Sequence, residues 1–364
     1  MQNNLTSPYL QLPVYIIGAG GIVNTAHLPA YKIAGFNVQG IYDLDFSKAS
    51  ATAEKFTIPH VFKGMEEMIA GLPPNAVIDV AVPGNRIIEV LEKLPDGATI
   101  LLQKPMGDNF EDAKHILSIT RRKKLLAGIN FQLRYAPYIL AVKELISKGQ
   151  LGELNDIEVN VNVYTPWDMW DYLTGSSRVE ILYHSIHYID LIRNLLGNPE
   201  SVFAKTTRHP SMPRLASVRS NIIMDYGDMI SANILTNHCH IYGTPKQQSY
   251  IKIEGSKGAV KINFGALIDY PRGAADSFEY ILLDGSDNPL WQEMKIEGSW
   301  FPHAFIGSME QMMLAAEGSI DRPDNSVEDC IDTMACVEAA YISNEKGGVT
   351  LKDIYQQKYS GSSA

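Results

Sequence analysis

The first third of the chain alternates short, unbroken apolar runs with stretches of helical spacing. Val14-Tyr15-Ile16-Ile17, bounded by Pro13 and Gly18, reads as a buried strand. Further strands are expected at 36–42 (ending before Asp43), 76–82, 99–103 and 125–131, and helices just after Gly21 and at 46–56, 86–93 and 111–123. Strands that alternate with helices build β-α-β units and a parallel sheet. Runs with no polar alternation fit strands covered on both faces. Past about residue 150 the pattern changes. Ile157, Val159, Val161 and Val163 alternate with polar residues, as a strand with one wet face does. A helix is expected at 178–196, strands at 202–206, 220–226, 229–237, 250–254, 259–264 and 278–283, and closing helices at 305–317 and 327–344. The second part is therefore an α+β unit with a mostly antiparallel sheet, and the boundary falls near 125–135.

Composition narrows the class. A chain of 364 residues suits two domains, and 45% hydrophobic with 20% charged residues is ordinary for a packed protein. Against 31 Lys and Arg stand 41 Asp and Glu, a formal charge of −10. That balance argues against nucleic acid or an anionic membrane as partner. Three cysteines, Cys239, Cys330 and Cys336, make no disulfide framework and match no zinc spacing, so reduced thiols and a cytoplasmic location are expected. Residues 1–31 lack Asp, Glu, Lys and Arg, yet no basic segment opens them and the apolar run stops at the glycines. They do not read as a signal peptide. Residues 1–12 are expected to lead into the first strand, and no run approaches the roughly 18 apolar residues of a membrane helix.

Gly18-Ala19-Gly20-Gly21-Ile22-Val23 lies between a strand and a helix, the context a dinucleotide fingerprint needs. The first glycine permits a tight turn. The second lets the backbone approach a pyrophosphate, which the helix N-terminus stabilises. Asp43 ends the second strand where a carboxylate accepts the ribose hydroxyls. Asp45 adds negative charge and no Arg follows nearby, so NAD is expected rather than NADP.

Gln103-Lys104-Pro105 ends a further parallel strand, and open α/β sheets bind ligands beyond strand carboxyl ends. Tyr183, His187 and Asp190 share a face if the segment is helical, with His184 beside them. There a tyrosine and an imidazole can exchange protons and the carboxylate can orient the ring. The plainer readings are a solvated lysine before a proline turn and histidines packed in a core. Arg134, Tyr164, Trp167, Asp168, Trp170, Asp171 and Arg178 suit a carbohydrate, with aromatic faces for C–H surfaces and carboxylates for hydroxyl pairs, or a loop packed on the sheet. His238-Cys239-His240 has no third ligand at sensible spacing, and no metal is expected. His27, His60, His115, His209 and His303 receive no role. Trp291, Trp300, Phe301, Phe305 and Met309 to Met313 read as core or subunit interface.

Together these residues resemble the glucose–fructose oxidoreductase, inositol dehydrogenase and rhizopine-catabolism (Gfo/Idh/MocA) family over nearly the whole chain. The likeness runs through His27-Leu28-Pro29-Ala30, Ala81-Val82-Pro83, Gln103-Lys104-Pro105, Asn130 and Arg134 before Tyr135-Ala136-Pro137, Gly149-Gln150-Leu151-Gly152, His187-x-x-Asp190 and Glu254-Gly255-Ser256-Lys257-Gly258. It implies an α/β fold with an N-terminal Rossmann domain (1–130). It also implies an α+β domain (131–364) with a large, mostly antiparallel open sheet, whose final helices can return to the first domain. It implies NAD held by Gly18, Gly20, Gly21, Ile22, Asp43, Val82, Pro83, Asn85, Gln103, Lys104 and Asn130. A sugar, glycoside or cyclitol would sit on Arg134, Tyr164, Trp167, Asp168, His184 and His187. Lys104 and His187, with Tyr183, would handle the proton of a secondary hydroxyl, either one serving as base, in a homodimer or homotetramer. Two departures stand out. Gln103 replaces the usual Glu, which makes a nearby ammonium easier to deprotonate. Tyr183 stands where an Asp is common, and Ser177, Arg178 and Val179 replace glycines. Two alternatives stay open: an enzyme that retains NAD and shuttles hydride between sugars or during glycoside processing, and a non-catalytic NAD sensor.

Overall fold

A computed structural model describes residues 11–283, 285 and 288–348, with 171 and 172 described by their backbone alone. The lead-in expected at the N-terminus lies outside the described residues up to residue 10. The first domain runs β1 (Pro13–Ile17), a π-helical turn (Val23–His27), α1 (Leu28–Ala34), β2 (Asn37–Tyr42), α2 (Phe46–Phe56), β3 (His60–Phe62), α3 (Met65–Ala70), β4 (Val77–Val80), α4 (Ile87–Lys93), β5 (Thr99–Leu102), α5 (Phe110–Arg122) and β6 (Leu126–Ile129). Side-chain caps set two of the helices: Asp45 accepts the Ser47 N–H at 3.0 Å and Asn109 accepts the Asp112 N–H at 2.9 Å. The strands pair in parallel in the order β3-β2-β1-β4-β5-β6. Strand order reverses between β1 and β4, so a crevice opens at their carboxyl ends. β3 and α3 escape the pattern reading because β3 has three residues and begins on exposed His60.

The second domain contains α6 (Pro137–Ser147), β7 (Leu154–Asn162), a π-helical turn (Ile181–Ser185) running into α7 (Ile186–Leu196), β8 (Ser201–Thr207), β9 (Arg219–Asp225), β10 (Ser231–Asn237), β11 (Gln248–Gly255), β12 (Gly258–Asn263), β13 (Ser277–Leu282) and β14 (Gln292–Glu293). Their order is β14-β13-β12-β11-β7-β10-β9-β8, antiparallel except for the β7–β10 pair. One face buries Ile157, Val159, Val161, Ile222, Ile234, Ile251, Ile253 and Ile262. The other leaves Phe203, Ile223 and Leu235 exposed. This alternation is the period-2 pattern of the sequence.

The chain then returns. α8 (Ala304–Ala316) puts Phe305, Met309, Met312 and Met313 into one cluster with Val14, Ile16, Val77 and Leu101, so these methionines are core of the parallel sheet. Before α9 (Val327–Lys346), the Asn325 carbonyl accepts the Ile129 N–H at 2.8 Å and Ser326 bridges Gly128. A side chain at Gly128 would place Cβ 2.6 Å from Met312 Sδ and 3.3 Å from the Asn325 carbonyl oxygen. Gly128→Val is expected to overpack this seam and cost about 1–3 kcal/mol, measured by urea unfolding. An unchanged midpoint would show that the seam carries no stability.

Candidate active site

The glycine loop is built by close approach. Gly18 adopts φ +110°, and a Cβ there would lie 2.4 Å from the Ala81 carbonyl oxygen, so only glycine fits. Positions 20 and 21 face open space. Asp43, just past β2, accepts the Ala19 N–H at 2.7 Å and the Asp45 N–H at 2.8 Å. Its carboxylate is pinned to the loop and has further acceptor sites to spare. The first N–H groups of the helical segment from Gly21 have no intrahelical partner. Ile22 is half-buried beside them. Val82, Pro83 and Asn85 border the same crevice in the turn after β4, with Pro83 and Asn85 exposed. Loop, anchored carboxylate and free N–H groups together fit a dinucleotide.

Gln103 and Lys104, adjacent at the end of β5, send their side chains to different partners. The Asn130 amide donates to Gln103 Oε1 at 3.1 Å and lies 3.3 Å from His27 Nε2. With that nitrogen accepting, His27 Nδ1–H donates to Asp79 at 2.7 Å. The Tyr31 hydroxyl donates to the same carboxylate oxygen at 2.8 Å. This buried polar chain ties the strand ends of β4, β5 and β6 to the helix after the glycines. The sequence pattern gives His27 no role. The signal for it is Asp79, a carboxylate inside the apolar run of β4, which needs buried partners.

The Lys104 ammonium donates to the Tyr183 carbonyl at 2.8 Å and lies 6.0 Å from that tyrosine's ring centroid. Burial lowers its pKa to about 8. His187 is 6% exposed, edge-on to Phe131 and Trp300. Burial first, and the nearby Lys104 charge second, push His187 far below the usual imidazole range. His184 is pushed the same way by burial, then by His238, Lys104 and His187. The Lys104 charge thus bears on both imidazoles. Tyr183, half-buried, contributes its carbonyl to the lysine.

Two expectations are corrected. Asp190 does not orient His187, whose Nδ1 is buried without a hydrogen-bond partner. Asp190 instead accepts Arg134 Nε at 2.6 Å, Arg134 Nη2 at 2.5 Å and the Thr333 hydroxyl at 2.8 Å. A bidentate guanidinium satisfies a buried carboxylate better than one imidazole N–H. Nor does Arg134 face a substrate. It is fully buried and also donates to the Asp324 carbonyl and the Asp329 carboxylate, both at 2.6 Å.

On the other side, Trp167 is buried, with its ring 4.9 Å from His184 and 5.7 Å from His238. Trp170 packs on Trp167 and on Tyr270. Tyr164 and Asp168 are exposed, and Arg178 is engaged with Glu338 on α9. The side chain at 171 lies outside the described residues. His238, Cys239 and His240 lie past the end of β10, where strand facing no longer holds. His238 Nδ1 sits 2.9 Å from the Thr165 hydroxyl, His240 Nδ1 3.2 Å from Asn162, and Cys239 Sγ 3.1 Å from Met212 Sδ.

Two family models match the chain. The oxidoreductase family with NAD-binding Rossmann fold covers residues 12–131, and the Gfo/Idh/MocA C-terminal domain covers residues 139–261. The chain belongs to the Gfo/Idh/MocA oxidoreductase family and carries an NAD-binding Rossmann domain. D-apiose dehydrogenase of Paraburkholderia graminis is 21% identical over 340 residues, 91% of this chain and 87% of that protein. YteT of Bacillus subtilis is 24% identical over 183 residues, a match that takes in 46% of this chain and only 42% of YteT. Among solved structures, an Agrobacterium radiobacter oxidoreductase in complex with NAD+, L-tartaric acid and magnesium superposes with a TM-score of 0.77 at 20% identity, over 94% of this chain and 99% of that one. No helix among the described residues is long and apolar enough to cross a membrane.

Gly18→Ala is expected to displace the 81–83 turn and weaken NAD binding at least tenfold, read by quenching of intrinsic fluorescence; unchanged affinity would contradict the close-approach argument. Arg134→Ala leaves Asp190 buried and unpaired. A loss of about 3–5 kcal/mol in denaturant unfolding is expected, and a loss under about 1 kcal/mol would mean the cluster is not clamped by this guanidinium.

Proposed function

We propose that the protein is an NAD-dependent dehydrogenase of a secondary hydroxyl on a sugar, glycoside or cyclitol, with Lys104 as the base. The observation that carries this reading is the half-buried ammonium at the carboxyl end of β5, bonded to a carbonyl and lowered to about 8, with two imidazoles held neutral in the same region. NAD, when bound, supplies the hydride acceptor. Neutral Lys104 takes the hydroxyl proton at Nζ, and the Tyr183 carbonyl fixes where that nitrogen points. His187, held neutral, makes a hydrogen bond to the same substrate oxygen. A proton acceptor serves best when its pKa lies near the working pH, and His187 falls too far below it. Of the two assignments open from sequence, lysine as base is therefore the favoured one. Trp167, Trp170, Tyr164 and Asp168 form the side from which a carbohydrate would enter. The sugar dehydrogenase among the relatives supports this substrate class. The exposed Phe203, Ile223 and Leu235 on the open sheet support a homodimer or homotetramer.

Purified protein with NAD is to be screened at 340 nm against monosaccharides, inositols and aryl glycosides. For a substrate so found, kcat/KM for oxidation is expected to rise with pH and level off above an apparent pKa close to 8. Lys104→Met is expected to lower turnover about 100- to 10,000-fold, with NAD affinity nearly unchanged. Full turnover in Lys104→Met, or a profile whose limb ignores this substitution, overturns the assignment.

A further inference from the structure

Trp300 reads from sequence as core or subunit interface, yet its ring stands against the imidazole whose expected carboxylate is bonded elsewhere. The centroids of Trp300 and His187 lie 5.6 Å apart, with the planes at 90°. Phe131 meets the same imidazole at 6.4 Å and 88°. Trp300 is 3% exposed and Phe131 is fully buried. The χ2 torsion of a histidine is broad, so its surroundings decide the plane of the ring. Here Nδ1 is buried without a hydrogen-bond partner. Two rings perpendicular to the imidazole hold it instead, in the edge-to-face arrangement that aromatic rings favour. Trp300 is itself anchored. Its carbonyl accepts the Ala304 N–H at 3.1 Å, at the start of α8, and the neighbouring Ser299 N–H donates to His303 Nδ1 at 3.2 Å. The indole also packs on Tyr188, Phe264 and Phe301. Trp300 lies outside the residues that either family model matches.

We propose that Trp300 is a positioning residue for His187: with Phe131 it fixes the plane of the imidazole and keeps water from Nδ1, so that His187 is a donor, through Nε2–H, to the oxygen of the reacting hydroxyl. This rests on the Lys104 reading above. A neutral imidazole carries one proton, on one of its two nitrogens. A proton on Nδ1 would be buried with nothing to accept it, so Nε2 takes it. The substrate O–H bond then breaks toward Lys104 Nζ, hydride leaves for NAD, and His187 keeps its own proton throughout. Few charged or titratable groups surround the ring. Lys104 bears on it from the end of β5, and Tyr183, His184, Tyr188 and Asp190 stand on its own helical segment. Asp190 is engaged by Arg134, from the turn that follows Phe131, and His303 belongs to the Trp300 segment. Of the two influences that disfavour a charged His187, burial is larger than the Lys104 charge. Removal of the indole lets water reach the ring and takes away the larger one.

The test is NMR titration of the full chain labelled with ¹³C and ¹⁵N histidine, with His187 assigned by comparison with His187→Gln. In the wild type no titration of His187 is expected between about pH 5 and 8, and its ring nitrogens should show the Nε2–H tautomer. In Trp300→Ala a midpoint within about one unit of the ordinary imidazole value of about 6.5 is expected. Trp300→Phe, which keeps a ring there, should stay flat. For a substrate found in the screen above, Trp300→Ala should lower kcat about tenfold or more with a smaller change in KM, and Trp300→Phe should recover most of the loss. A wild-type midpoint near 6.5, an Nδ1–H tautomer, or a folded Trp300→Ala in which His187 does not titrate overturns the proposal. If Trp300→Ala does not fold, judged by circular dichroism, the wild-type tautomer and Trp300→Leu decide it in the same way. Failure of the parent reading looks different, because Lys104→Met would then keep turnover whatever the His187 titration shows.

Discussion

The buried Arg134 guanidinium fixes the relative placement of the elements that carry the site. It sits in the turn directly after β6, at the edge of the parallel sheet, and reaches Asp190 on α7, the Asp324 carbonyl before α9 and Asp329 in the first turn of α9. Each of these contacts joins a different part of the chain to the first sheet. A charge this deep is tolerable only when nearly every donor is matched, so α7 cannot slide without leaving charge unpaired. His187 is three residues from Asp190 on that helix. Its distance from Lys104 is in this way set by a structural ion cluster beside the site, not by a hydrogen bond within it.

Inside the site, desolvation outweighs every other influence on charge. Among the described residues, Lys104 has the Tyr183 carbonyl and no carboxylate as hydrogen-bond partner, and its neighbour Gln103 is neutral and turned toward Asn130. Burial without compensation favours the uncharged amine. The same burial empties His184 and His187 of charge. The outcome is a site whose groups are neutral or nearly so around pH 8, which suits removal of an alcohol proton.

Much of this was legible in the chain. The apolar runs of β1, β4, β5 and β6 were visible because a doubly covered sheet leaves little room for polar alternation, and the glycine loop because only glycine allows the Gly18–Ala81 approach. The alternation of β7 marked the half-covered second sheet. What pattern could not show is pairing between residues far apart in sequence. His187-x-x-Asp190 suggested an imidazole with its carboxylate, yet Arg134, 56 residues before Asp190, takes that carboxylate first. His27 carried no signal by itself, and Asp79, a carboxylate inside an apolar strand, signalled a buried partner without saying which one. Trp300 and His187 meet from a loop and a helix far apart in the chain, a juxtaposition that spacing does not encode. The methionines of α8 had the composition of a core, but nothing local told that the core was that of the first domain.

The chemistry proposed for this fold turns on a Lys104 ammonium that gives up its proton easily. Titration of the protein with ¹³C-labelled lysine ε-carbons, with Lys104 assigned by comparison with Lys104→Met, reads that property at the nitrogen itself. A midpoint near 8 is expected. A midpoint near the ordinary lysine value of about 10.5 would refute it.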